Sequence, residues 1–133
     1  TAPVKRSVNH CVVVNPKPFA EYSRSGLFPW GKLSQEFEGR KVVSERAIKH
    51  VRNLSSLLRN KTYEVKSATV LFVINRGDCK TMRACGEQDS MFAEELDKAR
   101  EEGVDAKCFK VRWEESGRCY FEGAVDVEYW RKR

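Results

Sequence analysis

The stretch Val70-Leu71-Phe72-Val73-Ile74-Asn75-Arg76-Gly77-Asp78 decides the reading of the fold. Five apolar residues, each β-branched, aromatic or Leu, run without transition into Asn-Arg-Gly-Asp. From Ala68 to Ile74 this reads as a strand covered on both faces, as in a parallel sheet under helices. Ligands of open α/β sheets bind at the carboxyl ends of such strands. Asn75, Arg76 and Asp78 are therefore candidates for ligand contact, with Arg76 placed to point into a pocket or onto a helix end.

Outward from that strand the periodicity alternates. Upstream, Ser44 reads as the N-cap of a helix in which Ala47, Ile48, Val51, Leu54, Leu57 and Leu58 share one face at spacings of three and four. Downstream, Ser90 to Glu102 predicts a second helix, with Phe92, Leu96 and Ala99 inward and Gly103 just past its end. Val104 to Trp113 then alternates, Glu114-Glu115-Ser116-Gly117 turns, and Arg118 to Ala124 returns as a hairpin partner. At the start, His10 to Val14 is a short strand stopped by Asn15-Pro16-Lys17-Pro18. Residues 19–41, with Gly26, Pro29 and Gly31 among aromatics, predict a long loop pinned by Phe28 and Trp30. The order is β-α-β-α-β-β, an α/β domain with helices on both faces of its sheet. One domain is expected over residues 1–133, ending in a basic tail at 126–133.

The chain has 133 residues, enough to bury roughly two thirds of its unfolded surface around one core. Its net charge of +6 is uneven. Residues 1–66 hold 13 Lys/Arg against 5 Asp/Glu, a balance of +8, and residues 67–133 hold 12 against 14, a balance of −2. A basic first half favours a polyanionic partner, nucleic acid ahead of an anionic membrane. No apolar run has transmembrane length and no signal-peptide core is present, so no membrane partner is expected. The five cysteines, Cys11, Cys79, Cys85, Cys108 and Cys119, form no CxxC pair and have no His at finger spacing. Neither a disulfide framework nor a zinc site reads out of them. Reduced thiols are expected, and with them an intracellular, reducing compartment, cytoplasm or organelle matrix.

The basic residues gather on the first helix. Arg46, Lys49 and His50, at i, i+3 and i+4, share a face suited to tracking phosphates. Arg40 and Lys41 upstream and Arg52, Arg59 and Lys61 downstream extend it into a stripe. Trp30 and Phe28 read as buried loop anchors in preference to base-stacking platforms. The tail Trp130-Arg131-Lys132-Arg133 either adds phosphate contacts or is a disordered end.

Four blocks in order resemble the bacterial sugar fermentation stimulation protein family. Ser44 to Val51 (SERAIKHV) is similar to its T-E-R-G-x-K-H-L helix start, and Leu71 to Asp78 to its L-F-V-I-Q-R-x-D strand, with Asn75 for Gln. Asp89, Phe92, Ala93 and Leu96 match its D-P-x-F-A-x-x-L segment, and Glu102-Gly103-Val104 its E-A-G-V strand entry. The likeness covers residues 10–125. It implies a restriction-endonuclease-like mixed sheet of the PD-(D/E)xK class, a nucleic acid (DNA or RNA) as partner, and a divalent-metal site.

Two departures bear on that site. The family places E-V-K on the strand before its F-P segment, the carboxylate holding metal and the lysine orienting water. This chain has Asn15-Pro16-Lys17 there, and a neutral Asn is a poor ligand for a hard cation. The family's preceding hairpin and its oligonucleotide-binding barrel find no counterpart in TAPVKRSVNHCVVV. The remaining carboxylates near strand ends are Glu21, Glu45 and Asp78, of which Glu45 and Asp78 are possible metal ligands. The expectation is a nucleic-acid-binding domain with a degenerate metal site and no cofactor. Its alternatives are a Mg2+-dependent nuclease acting through Lys17, and a structural protein of a larger protein or ribonucleoprotein assembly.

Overall fold

A computed structural model describes residues 4–6, 11–14, 23–60, 62 and 64–131. In chain order the described elements are β1 (Val4–Arg6), β2 (Cys11–Val14), β3 (Ser23–Phe28), β4 (Gln35–Phe37), β5 (Arg40–Val42), α1 (Glu45–Arg59), β6 (Thr69–Ile74), β7 (Thr81–Ala84), α2 (Ser90–Glu101), β8 (Asp105–Trp113) and β9 (Cys119–Glu128). Seven strands form one mixed sheet in the order β1-β2-β3-β7-β9-β8-β6. β1, β2 and β3 run antiparallel in turn, β8 and β9 form an antiparallel hairpin, and β7 lies parallel to β9. β4 and β5 pair apart from this sheet.

The chain gathers into two compact units. The first comprises residues 1–28, 71–83 and 107–128, and is built from sheet strands. Its buried side includes Phe72, whose ring meets Phe28 at 5.7 Å, with Ile74, Met82, Cys79, Cys108 and Val127. Gly26 belongs in the middle of β3 for a packing reason. A Cβ there would stand 2.5 Å from Ile74 Cδ1, so only hydrogen lets the neighbouring side chain in.

The second unit comprises residues 29–70, 84–106 and 129–133, and contains both helices and the β4–β5 hairpin. α1 and α2 pack on one another and bury Ile48, Val51, Phe92 and Leu96. The Ser44 hydroxyl caps α1 by accepting from Ala47 N at 3.2 Å, as the sequence predicts. Asp89 caps α2, and Gly103, at φ +110°, turns the chain away from it. Glu38 and Gly39 both take positive φ, 51° and 79°, which is the twist a tight two-residue hairpin needs.

Several expectations are corrected. Residues 19–41 are not one long loop, since β3 and the β4–β5 hairpin occupy 23–28 and 35–42. Gly26 read as a breaker, whereas it marks a close approach inside a strand. The Val70–Ile74 strand is not covered on both faces. It is the last strand of the sheet, with Phe72 and Ile74 inward and Leu71 and Val73 exposed. β7 (TMRA) is too short and mixed to register in periodicity. The segment TAPVKRSVNHCVVV does carry a hairpin, β1 against β2, although neither strand contains an acidic residue. β9 runs through Glu128, so 126–128 are strand and not tail, and the backbone N–H groups of Trp130 and Arg131 are held by Asp97, each at 3.0 Å. Cys79 is disulfide-bonded while Cys85, Cys108 and Cys119 are free. For Cys79 this departs from the expectation of reduced thiols.

Candidate nucleic-acid interface

The basic residues of α1 divide into two sets. Arg52 is caught between carboxylates from both sides: Nη1 and Nη2 meet Glu38 at 2.6 and 2.8 Å, and Nε and Nη2 meet Glu95 at 2.9 and 2.6 Å. Its guanidinium also lies 5.0 Å from the Phe37 ring centroid. The hydrogen bond to Glu38, then that to Glu95, raises the Arg52 pKa, and the same Arg52 bond holds the Glu38 carboxyl below its ordinary value. Arg52 is thus the tie between the hairpin turn and both helices, and presents no spare charge to a polyanion. Arg59 pairs with Glu102 at 2.5 Å and Arg40 with Glu94 and Ser90, while Lys41 reaches Glu36 at 3.9 Å.

Arg46 and His50 form the other set. They lie one helical turn apart, both exposed, and neither enters an ion pair among the described residues. Lys49, between them, pairs with Glu45 at 2.6 Å and lies 5.8 Å from the Phe37 ring centroid, yet its side chain stays largely in solvent. The expected stripe contracts to a short patch on the first turns of α1. A cleft of about 270 Å3 further along the helices is lined by Arg52, Arg59 and Lys98 together with Glu95 and Glu102, so it carries both signs.

The first unit has its own basic locus. Asp78 accepts from Arg76 Nε and Nη2 at 3.1 and 2.8 Å and from Arg24 Nε at 2.8 Å. Two guanidinium groups on one carboxylate leave one positive charge over, and exposed Lys80 follows in the same loop. Lys110 Nζ donates to the Cys79 carbonyl at 3.4 Å, which adds a cation beneath the loop. Asn75 Oδ1 accepts from Trp113 Nε1 at 3.0 Å. The polar end of the VLFVINRGD stretch therefore meets protein groups first. Arg24 and Lys110 escaped sequence reasoning because only the sheet brings them to this loop.

A divalent-metal site does not fit the described carboxylates. Glu45 is occupied by Lys49 and Asp78 by two arginines, and a cation there would stand among positive charges. No group of three or more His, Cys, Asp or Glu side chains converges among the described residues. Asn15, Lys17, Glu21 and Lys61 lie outside the described residues.

Residues 41–117 match the family described as the sugar fermentation stimulation protein RE domain. The chain is 40% identical over 62 residues to a sugar fermentation stimulation protein homolog of Caulobacter vibrioides, covering 47% of this chain and 24% of that protein. It is 33% identical over 66 residues to the homolog of Jannaschia sp., covering 50% of this chain and 26% of that one. Among solved structures, Pyrococcus furiosus SfsA in complex with Ca2+ is similar at a TM-score of 0.58 and 20% identity, over 91% of this chain and 57% of that chain. That likeness shows the shared α/β fold, a mixed sheet with two helices. The match spans about a quarter of the length of the two curated relatives.

Proposed function

We propose that this chain, which belongs to the sugar fermentation stimulation protein family, binds nucleic acid through the outer face of α1. Arg46 and His50 are the phosphate contacts of this reading, and Lys49 between them, already paired with Glu45, contributes less. The observation that carries it is the contrast within one helix: Arg52 and Arg59 are neutralised by Glu38, Glu95 and Glu102, whereas Arg46 and His50 stand exposed without an ion pair among the described residues. A cation already holding a carboxylate gains little from a phosphate, while an unpaired one releases counterions from the polyanion. The Arg24, Arg76 and Lys80 locus of the first unit is a weaker candidate on this argument, since Arg24 and Arg76 share the Asp78 carboxylate and keep one positive charge between them, which Lys80 supplements.

The metal site is read as degenerate. By the family resemblance, Asn15 offers a neutral oxygen where a glutamate belongs, and the carboxylates named as substitutes are engaged by cations. Phosphodiester cleavage is accordingly no part of the proposed activity.

Fluorescence anisotropy with a labelled duplex, a single strand and a structured RNA at several salt concentrations tests the reading. Binding whose affinity falls steeply with salt supports it, and its absence for all three probes overturns it. Incubation of plasmid with the protein and Mg2+ or Mn2+ tests the second part, and metal-dependent nicking abolished by Lys17→Ala would restore the nuclease alternative.

A further inference from the structure

The sheet of the first unit has an open apolar face. Leu71 and Val73 of β6 alternate with buried Phe72 and Ile74 and are 52% and 55% exposed. On β8 and β9, Phe109, Trp113 and Phe121 stand out on the same alternation, because Phe109 is registered with Ala124, Val111 with Phe121 and Trp113 with Cys119. The Phe109 and Phe121 rings meet edge to face at 5.4 Å, and the Trp113 bond to Asn75 places the β6 side chains on this face too. Phe121 is 67% and Trp113 58% exposed. This patch differs from the α1 surface in residues and in chemistry.

We infer that this face binds a second copy of the chain, sheet against sheet about a twofold axis. Two observations select that occupant. The first is area. The five exposed side chains leave roughly 500 Å2 of apolar surface in water, at the upper end of what monomers expose. A standard interface buries about 800 Å2 per partner with about two thirds of its core apolar, so one such patch on each copy supplies an interface core of ordinary size.

The second is charge. Continuing the same face along the strands, Lys107 follows on β8, Asp126 and Glu128 on β9, and Arg83 is registered with Glu128. With Asp105 beyond Lys107 on β8, two positive and three negative side chains give a rim of mixed sign. A polyanion has nothing to gain there, whereas a twofold axis brings each sign of the rim within reach of its opposite on the other copy. Sheets pack face to face about 10 Å apart, a spacing that side chains of Phe and Leu size fill.

Sedimentation velocity and equilibrium on the full chain, across two decades of protein concentration, test the inference. The expected result is a reversible monomer–dimer equilibrium with a dissociation constant on the order of micromolar, weakened only modestly by raised salt because the apolar core carries the contact and the charges lie at its rim. Phe121→Glu and, independently, Leu71→Lys place a charge in the middle of the apolar contact. Each should weaken association at least about 100-fold while retaining the wild-type circular dichroism, because both positions are open to solvent in the single chain. Having two variants keeps the test decisive if one fails to fold. A wild-type chain that stays monomeric throughout overturns the inference, and so does a dimer that persists in a folded variant. Loss of nucleic-acid binding would leave this result untouched, since the α1 patch shares no residue with the sheet face.

Discussion

Arg52 grips Glu38 at two points, Nη1 to Oε2 at 2.6 Å and Nη2 to Oε1 at 2.8 Å. The grip matters because the same guanidinium holds Glu95, so one side chain joins the hairpin turn to α1 and α2. Arg52→Ala should lower the melting temperature by about 3 °C, a modest figure because the pair is solvent-screened. Arg52→Lys should recover only part of it, for an ammonium cannot bridge both carboxylates in plane. The pH dependence has a definite sign. The Glu38 carboxyl sits below its ordinary 4.5, chiefly through the hydrogen bond from Arg52. Its stabilisation is therefore present above about pH 4.5 and lost as pH falls through the folded value. Thermal melts of wild type and Arg52→Ala should converge in acid, and a gap that widens there would refute the assignment.

The α1 patch predicts a graded response to charge removal. Arg46→Ala should weaken nucleic-acid binding and reduce the salt slope by about 0.7–0.9 for each phosphate the helix no longer neutralises. Arg59→Ala should leave the slope unchanged, since Arg59 already pairs with Glu102. Equal slopes for both variants, in titrations over a range of salt, would mean that α1 does not face phosphate.

Much of this architecture was legible in the chain. The Ser44 cap, the α1 stripe, the extent of α2, Gly103 past its end and the β8–β9 hairpin follow from local signals that the structure retains. What periodicity missed depends on non-local placement. The Val70–Ile74 run reads the same in a central strand as in an edge strand, and only the sheet order reveals that Leu71 and Val73 are open. Gly26 reads as a breaker until Ile74 is seen to fill the space beside it. The site fared likewise. Arg46, Lys49 and Arg52 are alike cationic in sequence, with His50 beside them, and the carboxylates that separate Arg52 from the others arrive from Glu38 and Glu95, 14 and 43 residues away.

Edge placement makes a testable difference between neighbours in β6. Phe72→Ala should cost about 3 kcal/mol by deleting a buried ring that packs on Phe28. Val73→Thr, on the open face, should change stability by less than about 0.5 kcal/mol. Urea melts at low protein concentration separate the two, and equal losses would show that both faces of β6 are covered after all.

Asp89 uses its two oxygens for different jobs. Oδ1 accepts from Phe92 N at 3.0 Å, capping α2, while Oδ2 accepts from Val43 N at 2.9 Å and ties the end of β5 to it. Asp89→Ala should cost about 2–4 kcal/mol, a lost cap plus a backbone N–H left without its acceptor. Asp89→Asn should also destabilise, though less, because its NH2 must turn toward one of the two donors. Denaturant midpoints for both variants check the order, and an Asn variant as stable as wild type would show that one oxygen suffices.

The free thiols offer the last prediction. Burial pushes the Cys108 pKa from 9.0 to about 11, and Cys85 is buried as well, whereas Cys119 is exposed on the β8–β9 hairpin. Only the thiolate attacks a disulfide reagent, so at pH 8 the native chain should present Cys119 as the fast-reacting member of these three. Cys119→Ser should abolish that fast phase, and Cys108 should react only on unfolding. The sign for stability follows. A thiol whose folded value is raised favours the fold in its neutral form, and that contribution is lost as pH climbs from about 9 through the folded value near 11. Cys108→Ala should therefore flatten the alkaline limb of the stability profile while costing some packing at neutral pH. Rapid native labelling at Cys108, found by peptide mapping, would show that the strand pair around it opens far more readily than its burial implies.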